Sequence, residues 1–319
     1  MRSKANENIC FFVLIFSILA HSRGESTYRN VTRFLLFVGH ARTGHTLVGS
    51  IIDSHPNAIV ANEADVLGRV LKKPEAMVCG NGYTDCDQTD LDKIRSFVTS
   101  VIVSNSKQNR NSGRFQTGYD YTIRVNKSEI VLVLGDKKGG MTTSLLLKNN
   151  GSLFDERVSV LQRAFGVPVV FFHVLRNPFD MIATQAFRNQ FGHKVHFDSF
   201  KNVSFDRITK AVKQFVAGEE AIAEMKKGKY EVIDFFYEDL LDHTQKELER
   251  YAEVLNLPFS KLWRTEVEKL VYPTSHATRD LMAWPRDVYE VLKAFCEHVP
   301  LLSRYKSVYV QSANIQETK

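Results

Sequence analysis

The sequence predicts an α/β protein: a three-layer, doubly wound fold built on a central parallel sheet. Three observations lead to it. Short apolar runs of strand length recur at Phe34–Val38, Ala58–Ala61, Ile130–Leu134, Val167–Val174 and Glu231–Phe236. Stretches with apolar residues at helical spacing separate them. The runs are continuous rather than alternating, the pattern of strands buried on both faces. A chain of 319 residues, 44% hydrophobic and 24% charged, suits one globular domain with a sizeable core. No linker interrupts residues 30–310, and 311–319 form a polar tail.

Residues 1–24 read as a targeting segment. Arg2 and Lys4 start it, and Ile9–Ala20 is apolar except for Ser17. The run suits a signal-peptide core and is short for a bilayer span. A cleaved signal peptide is the expectation, with a short type II membrane anchor as the alternative. Either route leads to the secretory pathway, with the Golgi lumen the expected compartment. Four N-x-[ST] sequons, at Asn30, Asn126, Asn150 and Asn202, agree with it.

The first strand, Phe34–Val38, runs into a glycine-bounded loop, Gly39-His-Ala-Arg-Thr-Gly44. Leu47, Val48, Ile51 and Ile52 then mark a helix that His55-Pro56 stops, because the residue before proline is pushed out of the α region. A strand, a glycine loop and a helix N-terminus make a phosphate cradle. The loop has Gly39, Gly44 and Thr46 of the pattern G-x-x-x-x-G-K-[ST], but His45 stands where the lysine belongs. The positive charge lies inside the loop, on Arg42. A phosphate-like ligand other than a magnesium nucleoside triphosphate is therefore expected.

The second strand, Ala58–Ala61, precedes Val66, Leu67, Val70 and Leu71 at helical spacing. Cys79 and Cys86 bracket a loop and could close a disulfide in an oxidising lumen. Leu91–Val103 is an amphipathic helix that Thr89 or Asp90 would cap. Residues 104–128 read as a long polar loop, with basic residues from Lys107 to Arg124 suited to steering an anionic acceptor. The third strand, Ile130–Leu134, ends in Gly135-Asp-Lys-Lys-Gly-Gly140; the fourth, Val167–Val174, ends in Leu175-Arg-Asn-Pro178 and a helix. Phe205–Lys227 is helical, Glu231–Phe236 is the fifth strand, and Glu238–Leu255 is helical. Pro285 opens a final helix running to about His298, with Cys296 as a buried apolar thiol.

The net charge of +6 suits anionic ligands but is too dispersed to argue for nucleic acid. No C-x-x-C pair or histidine cluster suggests a metal. In open parallel sheets, ligands bind beyond the carboxyl ends of the strands. Arg42 follows the first strand and Glu63 the second. Lys137 and Lys138 follow the third, Arg176 the fourth, and Tyr237 and Glu238 the fifth. Distant residues thus converge on one edge, supplying several cations and a carboxylate.

These residues carry a resemblance. Gly39-x-x-Arg42-Thr43-Gly44-His45-Thr46-Leu47 resembles the 5′-phosphosulfate loop of sulfotransferases that use 3′-phosphoadenosine 5′-phosphosulfate, and His55-Pro56 resembles the close of the helix after it. Val169–Thr184 (VVFFHVLRNPFDMIAT) resembles the family's 3′-phosphate motif, with Arg176 and, in place of the usual serine, Thr184. Tyr237-Glu238-Asp239-Leu240 resembles the family's Tyr-Glu-Asp-Leu segment, and Ser275–Trp284 (SHATRDLMAW), followed by Pro285 and Tyr305, resembles the loop and tail that close over the nucleotide. The segment Arg42–Leu71 is most similar to protein-tyrosine sulfotransferases, in which a glutamate at the position of Glu63 is the base and a lysine like Lys137 lies near the transferred group.

The resemblance implies in-line sulfuryl transfer to a hydroxyl of a glycan, a protein tyrosine or a small secreted acceptor. It implies Glu63, Lys137 and Arg42 as catalytic residues, and no metal. It implies donor contacts from Gly39, Arg42, Thr43, Gly44, His45, Thr46, Arg176 and Thr184, joined by Tyr237, Ser275 and Arg279. His45 departs from the family pattern and could serve as a donor contact, an acceptor contact or an alternative base. Two other classes stand beside this reading: a P-loop nucleotide kinase, and a non-catalytic nucleotide- or glycan-binding secretory protein. The acceptor and the oligomeric state do not follow from the sequence.

Overall fold

The computed structural model describes residues 28–79, 82–112, 126–192, 197–269, 271, 276–310 and 314–317. The targeting segment, Ser275 and residues 113–125 of the basic stretch lie outside them. Five parallel strands, β1 (Arg33–Val38), β2 (Ala58–Asn62), β3 (Val133–Lys137), β4 (Val169–Leu175) and β5 (Glu231–Phe236), form one sheet in the order β2-β3-β1-β4-β5. The helices are α1 (His45–Ser54), α2 (Gln88–Ser112), α3 (Gly139–Leu146), α4 (Ser152–Phe165) and α5 (Pro178–Phe191). They continue with α6 (Phe205–Lys227), α7 (Tyr237–Asp242), α8 (Thr244–Val254), α9 (Lys261–Glu268) and α10 (Arg286–His298).

The period-2 alternation of strand side chains divides the core between the two faces of the sheet. Phe34, Leu36, Val38, Leu134 and Phe171 pack with α2 and α4 on one face. Leu35, Phe37, Val133, Phe172 and Phe235 pack with α1, α8 and α9 on the other. A third apolar cluster joins α5, α6 and α10. This is the expected three-layer arrangement. Two short strands, Trp284–Pro285 and Ile315–Gln316, pair separately.

Several boundaries differ from the sequence reading. The third strand begins at Val133, not Ile130, so Asp136 and Lys137 belong to the strand rather than the loop. Buried Asp136 accepts from the Ala64 (3.0 Å) and Val66 (2.8 Å) N–H groups, which is how an acid is tolerated there. Helix α2 continues to Ser112, through residues expected to form a loop. Its polar half is held by tertiary bonds: Ser106 donates to Asp53 (2.7 Å), and Asn105 accepts from the Asn62 N–H (2.8 Å). The Asp87 carboxylate, rather than Thr89 or Asp90, accepts the first-turn N–H of Asp90 (2.8 Å). The helix expected from Glu238 is broken at His243 into α7 and α8. Val66–Leu71 yields only a short 3₁₀ turn at Val70–Lys72.

Cys79 and Cys86 are disulfide-bonded. The Arg163 guanidinium donates to the Tyr83 (2.8 Å) and Cys86 (2.7 Å) carbonyls of this loop. Cys296 is a buried free thiol, and burial pushes its pKa up to about 12. The four sequon asparagines are exposed. Among the described residues no helix is long and apolar enough to cross a membrane.

Candidate active site

The loop after β1 is bent by three left-handed residues, Gly39 (φ 119°), Arg42 (φ 76°) and Gly44 (φ 100°). At Gly44 a side chain would collide with the Tyr237 ring. Gly44 is also the N-cap of α1 and supplies no side-chain cap, so the positive end of the helix opens beside the loop. On the other side, the Gly39 N–H donates to Thr143 Oγ1 (2.8 Å), and that hydroxyl donates back to the Gly39 carbonyl (3.0 Å). The loop is thereby fixed to α3.

It opens on a cleft of about 1280 Å³ at the carboxyl ends of the strands. Ten of the residues expected from the sequence line it: Gly39, Arg42, Gly44, His45, Thr46, Glu63, Lys137, Arg176, Thr184 and Tyr237. Lys138 and His276 line it as well. The volume exceeds the usual range for one drug-sized ligand, about 300–1,000 Å³, so there is room for two substrates.

Lys137 takes up the place left by the missing loop lysine. It comes from the neighbouring strand, is buried, and its Nζ donates to Thr46 Oγ1 (3.1 Å) at the start of α1. Gly49 permits this approach, because a Cβ there would fall 2.9 Å from Lys137 Cγ. Burial, opposed by Asp136 and reinforced by Arg42, brings the Lys137 pKa down to about 8. Burial lowers Lys138 as well. Glu63, itself left-handed (φ 65°), binds both ammonium groups, Lys137 through Oε1 and Lys138 through Oε2.

Arg42 is pushed below its ordinary pKa by burial and by the neighbouring Arg188. Its Nε is buried without a hydrogen-bond partner, as is the Nε of Arg176. Arg176 lies 5.3 Å over the Tyr237 ring, and its Nη2 donates to the His276 carbonyl (2.9 Å). It is aimed by the turn before α5, where Pro178 takes the first helical position and Asn177 caps the N–H groups of Phe179 (3.0 Å) and Asp180 (3.4 Å). Glu238 braces this turn, accepting from the Asn177 N–H (2.8 Å) and the Tyr305 hydroxyl (2.8 Å). The Tyr-Glu-Asp-Leu segment thus ties three elements together.

Thr184 reaches the cleft with its hydroxyl donating to the Asp180 carbonyl (2.8 Å) and 3.1 Å from the Thr278 hydroxyl. Thr43 is buried and donates to the His40 carbonyl (2.9 Å), which shapes the loop. Arg279 is not among the cleft residues; it pairs with Asp180 at 2.5 Å. The His45 Nε2–H donates to the Val38 carbonyl (3.0 Å), and its ring packs on Gly39 and Gly139. Burial and then Lys137 bring His45 down to a pKa of about 3, so the ring stays neutral.

The sequence reading missed a buried chain of charges beneath the loop. On β4, His173 donates through Nδ1 to Asp234 (2.8 Å) and through Nε2 to Glu219 on α6 (3.2 Å). Burial opposes its charge, but the two carboxylates outweigh it and hold His173 above its ordinary pKa. Lys226 completes the pairing of Asp234 at 2.5 Å. His40, in the loop, lies 3.1 Å from Glu219. The available signal was polar residues inside apolar elements: His173 and Asp234 are register partners on adjacent parallel strands.

No family model matches the chain, and no curated protein matches it. Among solved structures it is similar to the sulfotransferase STF9 from Mycobacterium avium, at 10% identity and a TM-score of 0.44, over 88% of this chain and 78% of that one. It is similar to the sulfotransferase domain of the Synechococcus PCC 7002 olefin synthase, at 13% identity and a TM-score of 0.42, over 85% and 96%. It is also similar to the mouse sulfotransferase SULT7A1 complexed with PAP, at 9% identity and a TM-score of 0.43, over 87% and 89%. All three similarities are distant.

Proposed function

We propose that this chain is a sulfotransferase that moves the sulfuryl group of 3′-phosphoadenosine 5′-phosphosulfate to a hydroxyl of a glycan, a protein tyrosine or a small acceptor in the secretory pathway. The observation that carries this reading is one cleft that gathers cations from the ends of different strands, with Arg176 reaching across to donate to the Arg42 carbonyl (3.4 Å). Arg42 and Lys137 stand at the loop, and Arg176 stands beyond the neighbouring strand, with Thr184 on the helix that follows. A donor bearing a phosphosulfate at one end and a 3′-phosphate at the other engages both. The buried Nε atoms of Arg42 and Arg176, without hydrogen-bond partners among the described residues, fit anionic oxygens there.

The transfer is in line. The acceptor oxygen forms a bond to sulfur as the bond from sulfur to the 5′-phosphate oxygen breaks, and the electron pair leaves with the bisphosphonucleotide. By analogy with phosphoryl transfer, positioning and charge stabilisation carry most of the catalysis. Arg42, Lys137 and the loop N–H groups stabilise the transferring and leaving oxygens. Arg176, with Thr184, holds the 3′-phosphate, and Tyr237 packs between Arg176 and the loop. The sequence resemblance assigns the acceptor proton to Glu63, both of whose oxygens are bonded here to Lys137 and Lys138. No metal enters the reaction.

The test is turnover of donor carrying a radiolabelled sulfuryl group, against a panel of oligosaccharides, tyrosine peptides and phenols. Label should pass to at least one acceptor, and Arg42→Ala should abolish the transfer. Binding of magnesium ATP without binding of 3′,5′-bisphosphoadenosine would place the chain among the kinases instead.

A further inference from the structure

Glu63 is a costly base. Both its oxygens are committed to the ammonium groups of Lys137 and Lys138. A different group in the same cleft lacks that handicap. His40 lines the cleft from the loop itself, two residues before Arg42. Its Nε2 is buried and lies 3.1 Å from a Glu219 carboxylate oxygen, an ion-pair distance without the alignment of a hydrogen bond. The tautomer with its proton on Nε2, toward Glu219, leaves the Nδ1 lone pair to accept a proton.

The ring is firmly seated. It lies 4.8 Å from the Phe215 ring and against Gly218, where a Cβ would collide with it. The titratable groups nearest to it are Glu219 on α6, His173 on β4 and His45 on α1. Lys138, Arg188, Asp206, Lys210 and Lys213 line the same cleft more widely. Burial opposes the Glu219 charge, but His173 and His40 outweigh it and hold Glu219 well below the ordinary carboxylate range. A permanently ionised carboxylate behind a histidine is the arrangement that orients an imidazole and stabilises its imidazolium.

We propose that His40, oriented by Glu219, takes the proton of the acceptor hydroxyl, and that Glu63 serves as the counter-ion that holds Lys137 and Lys138 at the transferring group. This rests on the sulfotransferase reading above. As the acceptor oxygen bonds to sulfur, its proton passes to His40 Nδ1, and Glu219 stabilises the imidazolium that forms. The proton leaves to solvent after the bisphosphonucleotide departs. Acceptors would therefore approach from the side of α3 and α6, the elements around His40.

The test compares wild type, His40→Asn, His40→Ala, Glu219→Gln and Glu63→Gln, with radiolabelled donor and with 2-naphthol and a tyrosine peptide as acceptors. Affinity for 3′,5′-bisphosphoadenosine is measured in each. The expected result is a loss of about 100-fold or more in kcat for His40→Asn, with bisphosphoadenosine affinity within about threefold of wild type. Imidazole added to His40→Ala should restore turnover. The acidic limb of the kcat/KM profile should vanish in His40→Asn, and the profile should change shape in Glu219→Gln. Near-wild-type kcat in His40→Asn overturns the proposal. So does a loss that imidazole fails to restore while bisphosphoadenosine still binds. A wild type that neither binds bisphosphoadenosine nor transfers label fails the sulfotransferase reading itself.

Discussion

Two glutamates near the Gly39–Gly44 loop show how differently one carboxylate can be used. Glu63 is 45% exposed at its side chain, sits on a left-handed residue beyond β2, and faces two ammonium groups. Glu219 is 5% exposed, sits on α6, and faces two imidazoles. An ammonium holds its proton, so the Glu63 pairing fixes cations in place. An imidazole has a second nitrogen, so the Glu219 pairing can pass basicity on to a ring that faces the cleft. The lesson is that the more exposed acid is not automatically the more available base.

The comparison can be broken in several ways. The largest effect is expected at the loop arginine, which neither glutamate pairs: Arg42→Ala should lower kcat by about 100- to 1,000-fold, the range for losing a preorganised donor to a developing anion. Pre-steady-state turnover with saturating donor checks it. Next comes stability. Glu219→Gln takes from buried His173 one of its two carboxylates, leaving only Asp234, and should cost up to about 3–5 kcal/mol in denaturant unfolding. Glu63→Gln removes a partly exposed pairing and should cost about 1 kcal/mol or less. Equal costs would erase the distinction between the two acids.

Acid should act on the same difference. Glu219 is held below its ordinary value of 4.5, so its stabilisation is fully present above that pH. It is lost progressively as pH falls from there toward the folded-state value, which thermal melts at stepped pH will follow. The smallest effect lies on the alkaline side. Lys137 loses its proton near pH 8 rather than 10.5, so kcat/KM should begin to fall about there. In Lys137→Arg the fall should move to higher pH.

Much of the fold was legible, because continuous apolar strands and a proline-stopped helix leave few arrangements. Arg42, Arg176 and Tyr237 could be placed on one edge because parallel strands all end on the same side. Strand β3 was misplaced by three residues because its last positions are glycine, aspartate and lysine, whose burial depends on partners at Leu35, Ala64 and Glu63. His45 drew attention as the odd residue of the loop, yet it serves the backbone of Val38. His40 stood in the same loop, and only the position of α6, some 180 residues later in the chain, gives it a partner. Arg279 was expected at the nucleotide and turns instead to Asp180, an acid inside the motif that follows Arg176.

The central claim is a donor with anionic groups at both ends, and calorimetry tests it most directly. Wild-type protein should bind 3′,5′-bisphosphoadenosine, and adenosine 5′-monophosphate, which lacks the 3′-phosphate, should bind at least about tenfold more weakly. Arg176→Ala should remove that difference, because a charge-assisted hydrogen bond from the guanidinium to the 3′-phosphate is worth about 1.5–3 kcal/mol. Equal affinity for the two nucleotides in the wild type would contradict the account.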